Sequence, residues 1–279
     1  MRFFSRFAGR IACALVTLPA LTGAGVARAD DALAPDADRI LAASAARVIP
    51  PRPWLYLDDP TLPSPLAVVV FSRATLGGAD ASPARPFGSD AAHAGGLVES
   101  GAEVGLLPWL SIAASGYAST VAPIGEGGAG LVAGLRVAPF AGDGPTRLVL
   151  SAGVLRDLTG AAGAWGRVAV SRDWCALRLA ATVHGERIFA TGRDSADVGA
   201  SAGASYAATR TLRLGVEYVG QDLEEMVDNE AEGGARHFLG PTVALELLEK
   251  RLTINVGPAV GVSRSGVSGA GRAGIGYAF

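Results

Sequence analysis

Leu252-Thr-Ile-Asn-Val-Gly-Pro-Ala-Val-Gly-Val262 is the stretch whose reading decides the fold. Leu252, Ile254, Val256, Pro258, Val260 and Val262 share one face, and Thr253, Asn255, Gly257, Ala259 and Gly261 share the other. A period of two marks a β-strand, because successive side chains point to opposite sides of the pleat. Here one side is as apolar as lipid and the other is small and polar. A tilted strand that crosses a bilayer needs that division and a length of about ten residues. Pro258 cannot donate to a ladder, so a bulge or a weak stretch is expected at that point.

The same alternation extends backwards along the chain. Leu239, Pro241, Val243, Leu245 and Leu247 oppose Gly240, Thr242, Ala244 and Glu246, and Leu212, Leu214, Val216 and Tyr218 oppose Arg213, Gly215 and Glu217. Segment 198–208 places valine, alanine and Tyr206 opposite Gly199, Ser201, Gly203 and Ser205, while Leu177, Leu179, Ala181 and Val183 oppose Arg178, Thr182 and His184. Less regular windows lie at 163–171, 147–156, 130–138, 109–117, 96–106 and 66–75, and 267–279 ends the series. The expected fold is therefore all-β, an antiparallel transmembrane barrel of twelve strands. Ten or fourteen also fit, because strands 1, 3 and 6 are weakly patterned. Link lengths favour an even count. The links 76–95, 118–129, 185–197 and 219–237 are long, whereas Leu107-Pro108, Arg172-Asp173-Trp174, Thr209-Arg210 and Glu249-Lys250-Arg251 are tight. Outer-membrane barrels alternate short periplasmic turns with longer external loops in this way. The links 157–162, 263–266 and 139–146 depart from the rule.

Composition excludes several other classes. Hydrophobic residues make up 49% of the chain and charged ones 18%. Beyond the N-terminus no apolar run is long enough for a helical span. The first residues predict export: Arg2, Arg6 and Arg10 precede an apolar run from Ile11 to Val26 that ends at Ala27-Arg28-Ala29. This is the layout of a cleaved signal peptide over 1–29, and Pro19 argues against a membrane anchor. Without those residues the chain has 24 − 4 = 20 basic and 26 acidic groups, a net charge of −6, which disfavours nucleic acid as a partner. Cys175 is then the remaining cysteine, so no internal disulfide is expected. Residues 30–63 form a Pro-rich segment, a short helix over 36–48 or a linker, either periplasmic or associated with the lumen. Prolines at 50, 51, 53, 60, 63 and 65 rule out a ladder there, and the barrel is expected over 64–279.

The chain ends Arg272-Ala-Gly274-Ile-Gly-Tyr277-Ala-Phe279. Tyr277 and Phe279 fall on the lipid side, and Arg272 and Gly274 on the inner side. This resembles the C-terminal insertion signal of Gram-negative outer-membrane β-barrel proteins. The resemblance is specific over eight residues and architectural elsewhere, and it singles out no subfamily. It implies a cell outer-membrane location, lipid and lipopolysaccharide as surroundings, and the barrel assembly machinery as a partner. Trp109, Trp165, Trp174, Tyr206, Tyr218 and Tyr277 lie near expected strand ends, where interfacial aromatic girdles belong.

Parity assigns Glu99, Glu103, Arg136, Arg147, Arg167, Arg178, Arg213, Glu217, Glu246, Asn255 and Arg272 to the lumen. Six arginines against four glutamates favour a narrow porin-like channel for small solutes with a weak anion preference. The alternative is a plugged or structural barrel, in which the same charges pair across the lumen. A lipid-acting enzyme is a third reading, and the chemistry speaks against it. A nucleophilic site needs a histidine oriented beside a serine. His93 and His237 fall in or beside expected external loops, His184-Gly185-Glu186 lacks the His-x-Ser arrangement of the outer-membrane phospholipase, and Ser263-Arg264-Ser265 is a turn. The acids Asp222, Glu224, Glu225, Asp228, Glu230 and Glu232 suit a solvated loop better than a divalent-cation site. No catalytic residue, cofactor or metal is expected.

Overall fold

The computed structural model describes residues 59–77, 95–121, 128–140, 144–158, 162–189, 197–221, 223, 236–262 and 269–279. They form twelve antiparallel strands in one closed barrel, each paired with its neighbours in sequence order and β1 with β12. The strands are β1 Val68–Gly77, β2 Gly95–Leu107, β3 Leu110–Val121, β4 Gly128–Val137, β5 Thr146–Asp157 and β6 Ala162–Trp174. β7 Leu177–Phe189, β8 Asp197–Ala207, β9 Leu212–Gln221, β10 Arg236–Leu247, β11 Leu252–Gly261 and β12 Ala270–Ala278 complete the ring. Val69 faces Ala278 across the seam, and the Phe279 amide donates to the Val68 carbonyl at 2.9 Å. Closure removes the free edges that an open sheet would present to lipid.

The alternation read from 252–262 holds in space. Thr253, Asn255 and Ala259 are buried inside, while Ile254, Val256 and Val260 stand outside. Comparable outward residues recur around the ring, among them Leu131, Val154, Val168, Val183, Leu214, Val243 and Ile275. A continuous apolar belt of this extent exceeds the patches that soluble monomers tolerate, and it calls for hydrocarbon. Trp109, Trp174, Tyr206, Tyr277 and Phe279 all lie at the end bearing the short turns. Tyr277 and Phe279 meet edge to face at 4.7 Å, and Arg172 lies over the Trp174 ring at 5.1 Å. Tyr218 lies at the opposite end, where its hydroxyl is 2.7 Å from His237 Nδ1.

Three expectations need correction. Trp165 is not part of a girdle: it is 8% exposed and faces the lumen, because it shares the parity of Arg167. Arg172-Asp173-Trp174 is not a turn. Trp174 pairs with Leu177, so the link shrinks to Cys175-Ala176, with Cys175 at φ 53°. Two-residue hairpins favour positive φ, since their twist then matches that of the strands. The third concerns Pro258, where of the two outcomes expected the bulge is absent and the weak stretch is present. The register between β10 and β11 is the same on both sides of a gap in the ladder at Gly240–Thr242 and Gly257–Ala259. Continuing that register sets Pro241 opposite Pro258, so at this level neither strand has an N–H to donate to the other. Gly240 is required there, since a Cβ would come within 2.7 Å of the Ala259 Cα.

Candidate functional site: the lumen

All eleven residues assigned to the lumen by parity occupy inward-facing positions. Glu103 and Glu217 are only 1% exposed, so the interior is tightly filled at their levels. His184 faces inward, as its alternation with Val183 implies, and the structure adds three further inward groups on the strands, Arg73, Asp173 and Glu186, and a fourth, Asp59, from the segment before β1. Arg73 was hidden by the run Val68-Val69-Val70-Phe71, which is apolar on both faces and shows no parity. Its alternation with Ser72 and Ala74 was the usable signal. Counted among the described residues, seven arginines (73, 136, 147, 167, 178, 213 and 272) now face seven carboxylates (59, 99, 103, 173, 186, 217 and 246). Any ion preference must therefore come from where the charges sit.

At the short-turn end the charges pair. Arg136 donates from Nη1 to both oxygens of Glu103 at 2.7 and 2.6 Å, and Ser111 donates to the same carboxylate. Asp173 receives Arg178 Nε at 2.6 Å and Arg147 Nη1 at 2.9 Å. Arg213 lies 3.1 Å from Glu246. Across this cluster runs the chain before β1. Asp59, Leu62, Pro63 and Ser64 are buried, Arg136 Nη2 donates to the Asp59 carbonyl at 2.7 Å, and Arg178 Nη1 reaches the Asp59 carboxylate at 3.4 Å. Thr61 donates to Asp59 Oδ1 at 2.9 Å, which fixes the carboxylate from within the segment. Gly105 lets the chain pass, because a Cβ there would collide with the Ser64 backbone. The described part of the Pro-rich segment thus lies in the mouth of the barrel. By the topology of this class, that mouth faces the periplasm.

Farther in, the wall of β4–β6 carries a different arrangement. Ser151 is paired in register with Arg136 on one side and Arg167 on the other. The Trp165 ring lies flat against the wall over Gly134 and Gly153; a Cβ on Gly153 would stand 2.8 Å from the ring. Arg167 sits 5.8 Å from the ring centroid, within cation–π range. Opposite, Arg73 holds Glu99 at 3.0 Å and lies 5.1 Å from the Phe71 ring. These groups line a small cavity of about 40 Å³, open to the lumen, with three guanidinium groups and one carboxylate on its wall. Towards the long loops two apolar clusters stand beside the inward polar groups Thr75, Glu186 and Arg272. Tyr117, Val132, Leu155 and Trp165 pack together, as do Val219, Phe238 and Ala259.

Other expectations lie outside the described residues: the signal segment 1–29, residues 30–58, His93, the acids Asp222, Glu224, Glu225, Asp228, Glu230 and Glu232, and Ser263-Arg264-Ser265. Among the described residues, no group of three or more metal-ligating side chains comes together.

The fold is that of the outer-membrane β-barrels. A KdgM porin in complex with disordered oligogalacturonate superposes with a TM-score of 0.53 at 8% identity, covering 76% of this chain and 99% of that one. A second KdgM porin structure gives 0.51 at 8% identity, with the same coverage. A NanC porin gives 0.48 at 9% identity, covering 76% of this chain and 98% of that one. No protein-family model matches the chain, and no curated protein matches it in sequence.

Proposed function

We propose that the chain is a narrow porin-like channel of the outer membrane that passes small solutes with a weak anion preference. The observation that carries this reading is the mid-lumen cavity, whose wall bears Arg73, Arg136 and Arg167 against two carboxylates, Glu99 on the wall and Glu103 bound to Arg136. With a low-dielectric wall around it, that local excess favours an anion even though the whole lumen is balanced. The porin fold of its structural neighbours supports the reading. On the same reading the signal peptide 1–29 is cleaved, the assembly machinery reads the terminal Arg272, Gly274, Tyr277 and Phe279, and lipopolysaccharide borders the outer leaflet. On this reading the barrel is no enzyme: His237 is hydrogen-bonded to Tyr218 on the outer surface, and the inward His184 stands in register between Arg167 and Gly199, neither of them a serine.

A second reading has its own observation. Asp59–Ser64 lies across the short-turn mouth, held by Arg136 and Arg178, and a barrel so filled would be closed. Planar-bilayer recording separates the two. The protein beginning at Asp30 should give small single-channel steps, with a reversal potential shifted towards that of the anion in a salt gradient. A silent bilayer for this protein, together with open steps for a variant lacking 30–63, establishes the plugged reading. Silence from both overturns conduction altogether.

A further inference from the structure

We infer that the mid-lumen cavity is a binding station for one oxyanion, the carboxylate or phosphate group of a small solute, held by Arg73, Arg167 and Ser151 beside the Trp165 ring. Its use in transport rests on the channel reading above; the binding itself does not.

The argument begins with groups that the fold leaves unsatisfied. Ser151 is 6% exposed, it lines the cavity, and its hydroxyl has no hydrogen-bond partner among the described residues. Arg73 Nε, on the opposite wall, is likewise buried without an acceptor, although its terminal nitrogen holds Glu99. A buried donor left unmade costs about 1–3 kcal/mol, more when the group is charged. An alanine at 151 would carry no such cost, and a hydroxyl set between two arginines suits an acceptor that comes and goes.

The remaining wall says what that acceptor is. Arginine forks match carboxylate and phosphate oxygens in geometry, and charge-assisted bonds are roughly twice as strong as neutral ones. Arg136 is committed to Glu103 and to the Asp59 carbonyl, so it contributes its field more than its donors. Glu99 would repel an anion, but the Arg73 guanidinium lies 3.0 Å from its carboxylate and offsets that charge, although Glu99 Oε2 accepts no hydrogen bond among the described residues. Arg167 is steadied against the Trp165 ring. The flat ring over Gly134 and Gly153 offers an apolar face beside these donors, which suits an oxyanion carried on a ring or a short hydrocarbon. Apolar packing towards the long loops and the Asp59–Ser64 crossing at the other end limit the occupant to one small group, not a polymer segment.

The test is calorimetric titration of the protein, folded in detergent, with inorganic phosphate and separately with glucuronate, glucose being the neutral control. One saturable site is expected for an oxyanion and none for glucose. Ser151→Ala should weaken binding about 3- to 10-fold, the loss of one hydrogen bond. Arg167→Gln should weaken it about 10- to 100-fold. Arg172→Gln, on the outer face beside Trp174, should leave it unchanged. Binding of glucuronate but not phosphate assigns the station to organic acids, and the reverse assigns it to phosphate. Should Arg167→Gln fail to give the heat-modifiable folded form, Ser151→Ala decides alone. Absence of binding for both anions, or binding indifferent to Ser151→Ala and to any folded Arg167→Gln, overturns the proposal. Because the titration needs no conduction, binding without conductance would remove the channel reading and leave the site. Conductance without binding would do the reverse.

Discussion

An arginine moved along the outer face of β11 should read the depth of each residue in the membrane. Strands rise about 3.3 Å per residue, and a tilt of about 45° reduces this to about 2.3 Å along the membrane normal. Leu252 begins the strand at the short-turn end, so Ile254 lies about 5 Å deeper and Val256 about 9 Å deeper on that scale. Val260, about 18 Å along, approaches the far interface of an apolar band about 25 Å tall. Val256 and Val260 are similarly exposed, at 54% and 55%, so depth and not local packing distinguishes them. A lipid-facing arginine costs about 2–4 kcal/mol at the midplane and about 0–1 near the interfaces. Val256→Arg should thus shift the folding equilibrium roughly 30- to 1,000-fold, at tenfold for each 1.4 kcal/mol. Leu252→Arg should cost about 1 kcal/mol or less, and Ile254→Arg and Val260→Arg intermediate amounts. The measurement is reversible urea unfolding in lipid vesicles, followed by tryptophan fluorescence and checked by heat-modifiability on gels. A flat profile over the four positions, or a tolerated Val256→Arg, would refute the claim that this face meets hydrocarbon.

Other outcomes follow from the same geometry. Phe279→Ala with Tyr277→Ala removes both rings of the edge-to-face pair; export should persist while the heat-modifiable form in the outer-membrane fraction falls several-fold. Asp59→Ala removes the contact to Arg178, which retains Asp173. The folded yield should hold while single-channel conductance rises, and an unchanged conductance would show that the segment does not limit the mouth. Cys175 is exposed in the β6–β7 hairpin at the short-turn end. A membrane-impermeant maleimide should therefore label it only after the outer membrane is permeabilised, and labelling of intact cells would invert the assigned orientation.

Much of this architecture was legible because a barrel strand is a local object. Alternation over ten residues fixes both the element and its faces, so β10 and β11 could be read without any knowledge of their neighbours. The alternation of long and tight links carried independent information on the even strand count. Trp165 shows where the reading was inconsistent with itself: Arg167 had been placed inside, and two residues away on one strand means the same side. The glycines that make room for the ring lie on β4 and β5, and that accommodation depends on pairing register, which alternation alone does not encode. Asp173 and Glu186 were missed because they were assigned to links, and strand ends are the least determined part of any pattern. Asp59 was beyond reach for a different reason. It belongs to a proline-rich stretch without period, and only the closed ring brings it beside residues 77 and 119 positions away.

The paired prolines 241 and 258 give the barrel a mechanical asymmetry. Most of the ring is stitched by continuous ladders, but β10 and β11 share an interval in which the two strands are held by packing and by their ends. A closed hoop under load yields first where its restoring force is smallest. Bilayer thinning, lateral pressure or the entry of a bulky solute should therefore be taken up along this one line. The cross-section would flatten about β10–β11 as a hinge rather than dilate evenly. Backbone amides bordering that interval should exchange with solvent earlier than their counterparts at equal depth on β4 and β5, where the pairing is unbroken.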